Sequence, residues 1–112
     1  MQSYKIIFSK RFSQELDEIL DFIATSNPNQ AATFQSELFA KISSLDTMPY
    51  RCRKNFVADD ENIRDMVFRG YVVVFGVNEK ALSVEILGIY KANEWRFWGL
   101  SLAAYAKRGG CG

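Results

Sequence analysis

The chain has 112 residues, and its 14 Lys and Arg against 13 Asp and Glu give a net charge of +1 at pH 7. That length predicts one domain with a single hydrophobic core and excludes a substrate cleft between two lobes. Because the charge is balanced, any affinity for nucleic acid must come from local clustering of cations. The chain contains no histidine, so its chemistry must rest on Arg, Lys, Tyr and carboxylates.

The cysteines and the N-terminus favour a cytoplasmic protein. Cys52 and Cys111 are far apart and lack the spacing of a zinc or redox motif, which indicates free thiols in a reducing compartment. The N-terminus places Lys5, Lys10 and Arg11 around a short apolar run, unlike a signal peptide or a membrane span. We therefore expect a cytoplasmic location and no membrane association.

The predicted elements begin with one strand and two helices. Residues 4–8 are apolar and β-prone. Residues 12–23 carry an apolar stripe at helical spacing, with acidic residues on the opposite side. Asn27 supplies a capping side chain and Pro28 suits the first helical position, so a second stripe over residues 31–45 predicts a second helix. The two helices are expected to form an antiparallel hairpin.

Strands are predicted after Pro49, which breaks the second helix because it lacks an amide hydrogen. A nearly continuous apolar run at residues 71–77 is typical of a central strand covered by helices. The order predicts an α+β fold: an N-terminal strand, an antiparallel helical hairpin and an antiparallel β-meander forming one sheet. The strands are expected at residues 55–58, 63–68, 71–77 and 82–90.

Two segments are expected: a domain over residues 1–92 and a C-terminal tail over residues 93–112. The tail is apolar around Trp95 and Trp98 and ends in a glycine-rich stretch. Its apolar part is expected either to form a helix that covers the sheet or to bind a partner. The glycine-rich end is expected to be disordered.

The candidate site is the segment at residues 48–54, in which Arg51, Arg53 and Lys54 place three cations within four residues. Arginine offers paired donors to phosphate oxygens, so the cluster is suited to a polyanion. RNA cleavage through a 2′-hydroxyl would need a base, cations for the developing charge and an acid for the leaving oxygen. Without histidine, lysine or a carboxylate must be the base, and Tyr50, Tyr71 or Tyr90 is a candidate proton donor or base-stacking group. A solvated turn that carries cations for solubility is the equally weighted alternative.

Arg64 is a cation within a predicted strand, on the face shared with Met66 and Phe68. It is expected either to project into a groove near the basic cluster or to form an ion pair with Asp65 or Glu85, and we favour the former. Arg69 is expected to be structural. The carboxylates at residues 59–61 are expected to form a solvated turn rather than a metal site, because consecutive side chains point in different directions.

Read in order, these features resemble the RelE/ParE superfamily of toxins over roughly residues 1–92. The residues that carry the resemblance are the segment Met48-Pro49-Tyr50-Arg51, the strand start Ile63-Arg64-Asp65-Met66, and the two runs at residues 70–75 and 86–91. The resemblance implies the toxin of a type II toxin-antitoxin module, neutralised by a cognate antitoxin, with no metal or organic cofactor. A homodimer and a toxin-antitoxin hetero-oligomer are both compatible with it.

The resemblance leaves two cellular targets, because RelE-like members cut mRNA on the ribosome whereas ParE-like members inhibit DNA gyrase. The first implies that mRNA is cleaved by a metal-independent endoribonuclease, and the sequence slightly favours it over gyrase inhibition or an inactive relative. In that reading Lys54 is the base, while Arg53 and Arg64 stabilise charge. The RNA-binding residues are then Arg51, Lys91, Tyr90 and Tyr50, with Tyr105 as a further stacking candidate.

Overall fold

The computed structural model describes residues 3–55, 58 and 60–92, and these form a single sheet with two helices on one face. Two short 3₁₀ turns, Ser44–Asp46 and Pro49–Arg51, follow the second helix. The predicted α+β class is therefore confirmed. The elements are β1 (Lys5–Phe8), α1 (Lys10–Ser26), α2 (Pro28–Ser43), β2 (Arg53–Lys54), β3 (Ile63–Phe68), β4 (Tyr71–Asn78) and β5 (Ser83–Lys91).

The sheet has the order β1-β5-β4-β3-β2, with β1 parallel to β5 and every other pair antiparallel. A parallel neighbour requires a crossover connection, and the two helices supply it. The central strands β4 and β5 continue past the end of β1, because β1 stops at the pair Phe8 and Ile86. Beyond that point β5 has no β1 residue beside it, and the side chain of Glu15 accepts a hydrogen bond from the β5 amide of Ile89 at 3.0 Å. This contact gives one backbone group of β5 a partner in place of β1.

Both helix starts are capped as the sequence indicates. The Ser9 hydroxyl accepts a hydrogen bond from the amide of Phe12 at 3.1 Å. Asn27 ends α1 and caps α2, since its side-chain oxygen accepts hydrogen bonds from the amides of residues 29 and 30. Pro28 occupies the first turn of α2, where its missing amide hydrogen costs nothing. A one-residue connection thus reverses the chain between two helices that pack against each other.

Two apolar clusters lie on opposite faces of the sheet. On β4, Val73 and Phe75 face the helices, whereas Val72 and Val74 belong to the cluster on the other face. Burial on both faces explains why this strand reads as a continuous apolar run. Each fully buried side chain of this kind contributes about 1.5–3 kcal/mol. The second cluster contains Ala58, Ile63, Val72, Val74, Leu87 and Tyr90.

The β3–β4 connection is a two-residue turn at Arg69 and Gly70, both with positive φ (48° and 82°). Positive φ at both central residues matches the type I′ hairpin, which suits the right-handed twist of the strands. Glycine adopts this conformation freely, whereas arginine is strained there. The side chain of Arg69 pairs with Glu37 on α2 and lies over the Phe68 ring, in keeping with its predicted structural role.

One predicted strand is wrong in position. The sequence places a strand at residues 55–58, whereas β2 consists of Arg53 and Lys54, and neither Asn55 nor Ala58 is in a strand. The reason is that Asn55 and Ala58 form a buried turn, in which the Asn55 side chain accepts a hydrogen bond from the Ala58 amide at 2.9 Å. The expectations for residues 93–112, including Tyr105, Cys111 and the apolar tail, lie outside the described residues. Within the described part, no helix is long and apolar enough to cross a membrane.

Candidate functional site

The basic cluster stays together at one edge of the sheet. Arg51 ends the second 3₁₀ turn, and Arg53 and Lys54 form β2. The register sets Arg53 opposite Asp65 and Lys54 opposite Arg64, so the fold adds the predicted strand arginine to the cluster. Lys54 is exposed, with its side chain at the rim of the sheet.

Arg64 donates its hydrogen bonds to backbone of the same domain. Its Nε donates to the carbonyl of Glu61 at 2.7 Å, and a terminal guanidinium nitrogen donates to the carbonyl of Cys52 at 3.1 Å. The guanidinium carbon lies 4.9 Å from the centre of the Tyr50 ring, within cation–π range. These contacts hold the second 3₁₀ turn, Pro49–Arg51, and the turn at residues 61–62 against β3. Arg64 therefore acts as a structural clamp within the domain.

A buried carboxylate lies beneath the exposed Arg53. The Asp65 side chain is 0% exposed, and its Oδ2 is 3.6 Å from the Nε of Arg53. Its Oδ1 accepts a hydrogen bond from the side-chain nitrogen of Asn55 at 2.8 Å, whereas Oδ2 has no hydrogen-bond partner among the described residues. Burial raises the pKa of Asp65 above its ordinary value, and the Asn55 hydrogen bond and the Arg53 charge oppose that rise. The guanidinium of Arg53 thus interacts with a carboxylate of its own domain.

Beside this cluster lies a groove of about 290 Å³ between the end of α2, β2 and β3. Three cations line it, because Lys41 on α2 joins Arg51 and Arg53. Lys41 donates a hydrogen bond to the carbonyl of Val67 at 3.1 Å. The floor is apolar, with Leu45, Cys52 and Met66. The groove combines positive charge with apolar surface, which is suited to an anionic group that carries an apolar part.

The two tyrosines predicted to contact RNA, Tyr50 and Tyr90, lie in different places. The Tyr50 hydroxyl donates to Asn62 at 2.8 Å, and burial together with Glu79 raises the pKa of Tyr50 to about 12. Tyr90 is buried in the second apolar cluster, and burial with the charge of Asp65 raises its pKa to about 12. A phenol with so high a pKa is a poor proton donor at neutral pH.

Lys91 lies apart from the basic cluster. It pairs in register with Tyr71, whereas Arg64 pairs with Phe75, four residues further along β4. At about 3.3 Å per residue, that is a separation of about 13 Å along the strand. Lys91 instead places its Nζ 5.3 Å from the centre of the Phe22 ring on α1. The structure therefore brings together Tyr50, Arg51, Arg53, Lys54 and Arg64, and separates Lys91 from them.

Sequence reasoning missed Asn55, Lys41 and the burial of Asp65. The alternation of β3 contained one usable signal, since Asp65 shares its face with the apolar residues Ile63 and Val67. The sequence around Lys41 did not indicate its place in the groove, because Lys41 lies on α2 whereas Arg51 and Arg53 lie beyond that helix. The acidic turn behaves as predicted where it is described: the Asp60 side chain accepts a hydrogen bond from the Asn62 amide at 2.8 Å. In the described part of the chain, no three His, Cys, Asp or Glu side chains are grouped as metal ligands.

Comparison with solved structures identifies the class to which this fold belongs. The chain is similar to the Escherichia coli toxin RelE in its free state, at 18% identity and a TM-score of 0.66, covering 93% of this chain and 97% of that one. It is also similar to the chromosomal ParDE toxin-antitoxin system of Pseudomonas aeruginosa, at 14% identity and a TM-score of 0.64, covering 80% and 96%. A third relative is the RelBE2 toxin-antitoxin complex of Mycobacterium tuberculosis, at 15% identity and a TM-score of 0.58, covering 81% and 93%. The chain therefore has the fold that these toxin and toxin-antitoxin structures share.

The family follows from the sequence match. Residues 6–94 match the family described as the ParE toxin of the type II toxin-antitoxin system parDE. The chain therefore belongs to the ParE toxin family and is the toxin of a type II toxin-antitoxin system. No curated protein matches the chain.

Proposed function

We propose that this toxin arrests growth by binding to DNA gyrase and inhibiting it, in the ParE manner, without cleaving RNA. The proposal depends on the contacts of two arginines of the sheet, Arg53 and Arg64, because both interact with groups of the same domain. Arg64 donates to the carbonyls of Glu61 and Cys52, and Arg53 lies against the buried Asp65. Charge stabilisation in a nuclease needs donors aimed at the reacting phosphate, whereas Arg64 donates to backbone carbonyls and the 57% exposed Arg53 lies 3.6 Å from Asp65.

The residues on the sheet face away from the helices support the same proposal. Between Asp65 and Tyr90 that face carries Val72 and Val74, which are buried and apolar. Tyr90, the candidate acid, is itself buried and has a pKa raised to about 12. A cleavage reaction needs an acid and a base that exchange protons near neutral pH. The ParE family match over residues 6–94 points in the same direction.

The surface that we propose for the gyrase contact is centred on Phe22. This ring lies on α1 and is 67% exposed, more than any other large apolar side chain in the described residues. Lys91 lies over it at 5.3 Å. Exposed aromatic rings next to a cation are typical of residues that dominate protein–protein affinity.

Cleavage of mRNA on the ribosome is the second candidate, favoured by one observation. Arg51 and Arg53 line one groove with Lys41, and Lys54 is exposed beside them. In this alternative Lys54 is the base, Arg53 with Arg64 stabilises charge, and Arg51, Tyr50, Tyr90 and Lys91 contact RNA. The groove could then hold a phosphate of the message.

Two assays on the same variants separate the candidates. Purified toxin is tested for inhibition of gyrase supercoiling, and cells expressing it are tested for codon-phased mRNA cuts by primer extension. We expect blocked supercoiling and intact mRNA. Phe22→Ala should weaken gyrase inhibition about tenfold or more, in the range of a binding hot spot, whereas the double variant Arg51→Ala and Lys54→Ala should retain it. Lys80→Ala, an exposed cation on the β4–β5 turn, is the control for charge removal.

The opposite pattern would overturn the proposal. Codon-phased cuts that disappear in the Arg51→Ala and Lys54→Ala variant, with unchanged supercoiling, would assign the protein to the ribonuclease branch. Thermal unfolding of each variant is measured first, so that a loss of activity is not a loss of folding.

A further inference from the structure

The helical hairpin and the groove beside β2 carry opposite charges. Residues 12–40 contain five carboxylates and no lysine or arginine. Glu15 and Glu37 have ion-pair partners on the same domain. The other three carboxylates are exposed on α1 and have no ion-pair partner among the described residues: Asp17, Glu18 and Asp21. The outer side of α1 is therefore acidic.

An exposed aromatic ring lies next to these carboxylates. Phe22 is 67% exposed and follows Glu18 by one helical turn. At about 100° per residue, the side chains from Asp17 to Phe22 that face solvent lie within about 140° of the helix circumference. Lys91, with its Nζ 5.3 Å from the ring centre, offsets one of the three negative charges. We call Asp17, Glu18, Asp21 and Phe22 the acidic face, and it suits a partner that offers an apolar recess among cations.

The groove between α2, β2 and β3 has these properties. Lys41, Arg51 and Arg53 line it, and its floor is apolar. Its volume is about 290 Å³, whereas a cavity of about 150 Å³ is enough to hold benzene. A phenyl ring therefore fits in the groove. Arg51 is exposed and has no ion-pair partner in the part of the chain that the structure describes, so its charge is available to a partner.

The acidic face and the groove lie on different sides of the molecule. Helix α1 packs against β5, whereas the groove is at the β2–β3 side of the sheet, with β4 between them. At about 4.8 Å between neighbouring strands, β5 and β3 alone are about 10 Å apart. The two surfaces therefore cannot meet within one molecule and can meet only between two molecules.

We propose that the toxin associates with itself head to tail, with the acidic face of one copy docked in the groove of the next. Phe22 would fill the apolar floor, and the carboxylates beside it would lie near Lys41 and Arg51. Such a contact joins two different surfaces, so each added copy leaves one acidic face and one groove open. A nucleic acid fits the groove but is repelled by the acidic face, whereas a second copy accounts for both surfaces.

Self-association would also affect the proposed activity. Phe22 is the centre of the surface that we propose for gyrase, so a docked copy could not present it to the enzyme. That consequence rests on gyrase as the target, whereas the association itself does not. The association is therefore measured on purified toxin alone, and the supercoiling assay on free toxin reports the target separately.

The first measurement is the mass of the purified, nuclease-treated toxin by sedimentation velocity over a range of concentrations. We expect the mass to rise past that of a dimer at about 50 mM salt and to fall toward that of a monomer at about 500 mM salt, because screening weakens the charge pairs. A monomer at every concentration in low salt would overturn the proposal. Loss of the assembly on nuclease treatment would also overturn it, since a nucleic acid would then bridge the copies.

A mixing experiment tests which surfaces meet. Phe22→Asp disrupts the acidic face, and Arg51→Glu reverses a charge of the groove; both positions are exposed, and thermal unfolding of each variant is measured first. Each variant alone should remain a monomer at concentrations at which wild type exceeds a dimer. An equimolar mixture should form a one-to-one dimer, because only one intact face and one intact groove remain. Association of either variant alone, or a mixture that stays monomeric, would refute the proposed contact.

A charge reversal separates the acidic face from net charge. Glu18→Lys should weaken self-association about tenfold or more, because it places a cation against the cations of the groove. Glu61→Lys is the matched control, since Glu61 is an exposed carboxylate on the turn before β3 and the change in net charge is the same. We expect the control to associate like wild type. Equal loss in both variants would show that net charge controls association, and the head-to-tail contact would be wrong.

Discussion

Replacing Arg64 with alanine tests whether this residue holds the domain together or acts on a substrate. The change removes a hydrogen bond to the carbonyl of Glu61, one to the carbonyl of Cys52 and the contact with the Tyr50 ring. Two charge-assisted hydrogen bonds at a partly exposed site are worth about 1 kcal/mol each, and the ring contact adds about 0.5–1 kcal/mol. We therefore expect Arg64→Ala to lower the free energy of unfolding by about 2–3 kcal/mol.

Thermal and urea unfolding of the purified variants measure that loss. For a domain of this length, a loss of about 2–3 kcal/mol corresponds to a Tm lower by about 8–12 °C. Arg64→Lys should fall between wild type and alanine, because one ammonium cannot reproduce the planar guanidinium contacts. Arg51→Ala, which removes an exposed cation of the same basic cluster, is the matched control and should change the free energy by less than about 0.5 kcal/mol.

A functional role for Arg64 would give a different result. If Arg64→Ala unfolds within about 2 °C of wild type, corresponding to about 0.5 kcal/mol, and is nevertheless inactive, the clamp interpretation is refuted. Toxicity in that case would depend on the guanidinium itself.

Three further predictions concern a helix cap, a turn and a buried carboxylate. Asn27→Ala should destabilise the protein by about 1 kcal/mol in urea unfolding, because two amides of α2 lose their acceptor; no change would show that Pro28 alone defines the helix start. Arg69→Asn should stabilise it by about 0.5 kcal/mol, because asparagine tolerates positive φ while the half-exposed pair with Glu37 is lost, and a lower Tm would show that the ion pair outweighs the backbone strain. Because burial raises the pKa of Asp65 in the folded state, stability from this group is present below the unfolded pKa near 3.8 and decreases as pH rises through the raised value. The stability of wild type relative to Asp65→Asn should therefore fall between about pH 3.5 and about pH 7, and a constant difference in urea midpoints would contradict the burial argument.

The order and type of the elements could be predicted because their signals are local. The apolar stripes of α1 and α2, the Asn27-Pro28 boundary and the strand at residues 63–68 all depend on neighbours within one turn or one strand. The run at residues 71–77 also indicated a strand buried on both faces, and β4 has that burial. The misplaced strand at residues 55–58 shows the limit of local reasoning, because the buried turn depends on a hydrogen bond from Asn55 to Asp65, ten residues away.

The clustering of Arg51, Arg53 and Lys54 was also visible in the sequence, because three cations in four residues stay close in any conformation. What those cations contact was decided by the tertiary structure. The inward direction of Arg64, the buried carboxylate beneath Arg53 and the separation of Lys91 all follow from strand register. Register is set by packing among distant segments, and a one-residue shift would exchange the two faces of a strand. The sequence by itself therefore determined the elements and the position of the charges, whereas the tertiary structure alone decided which charges remain available to a partner.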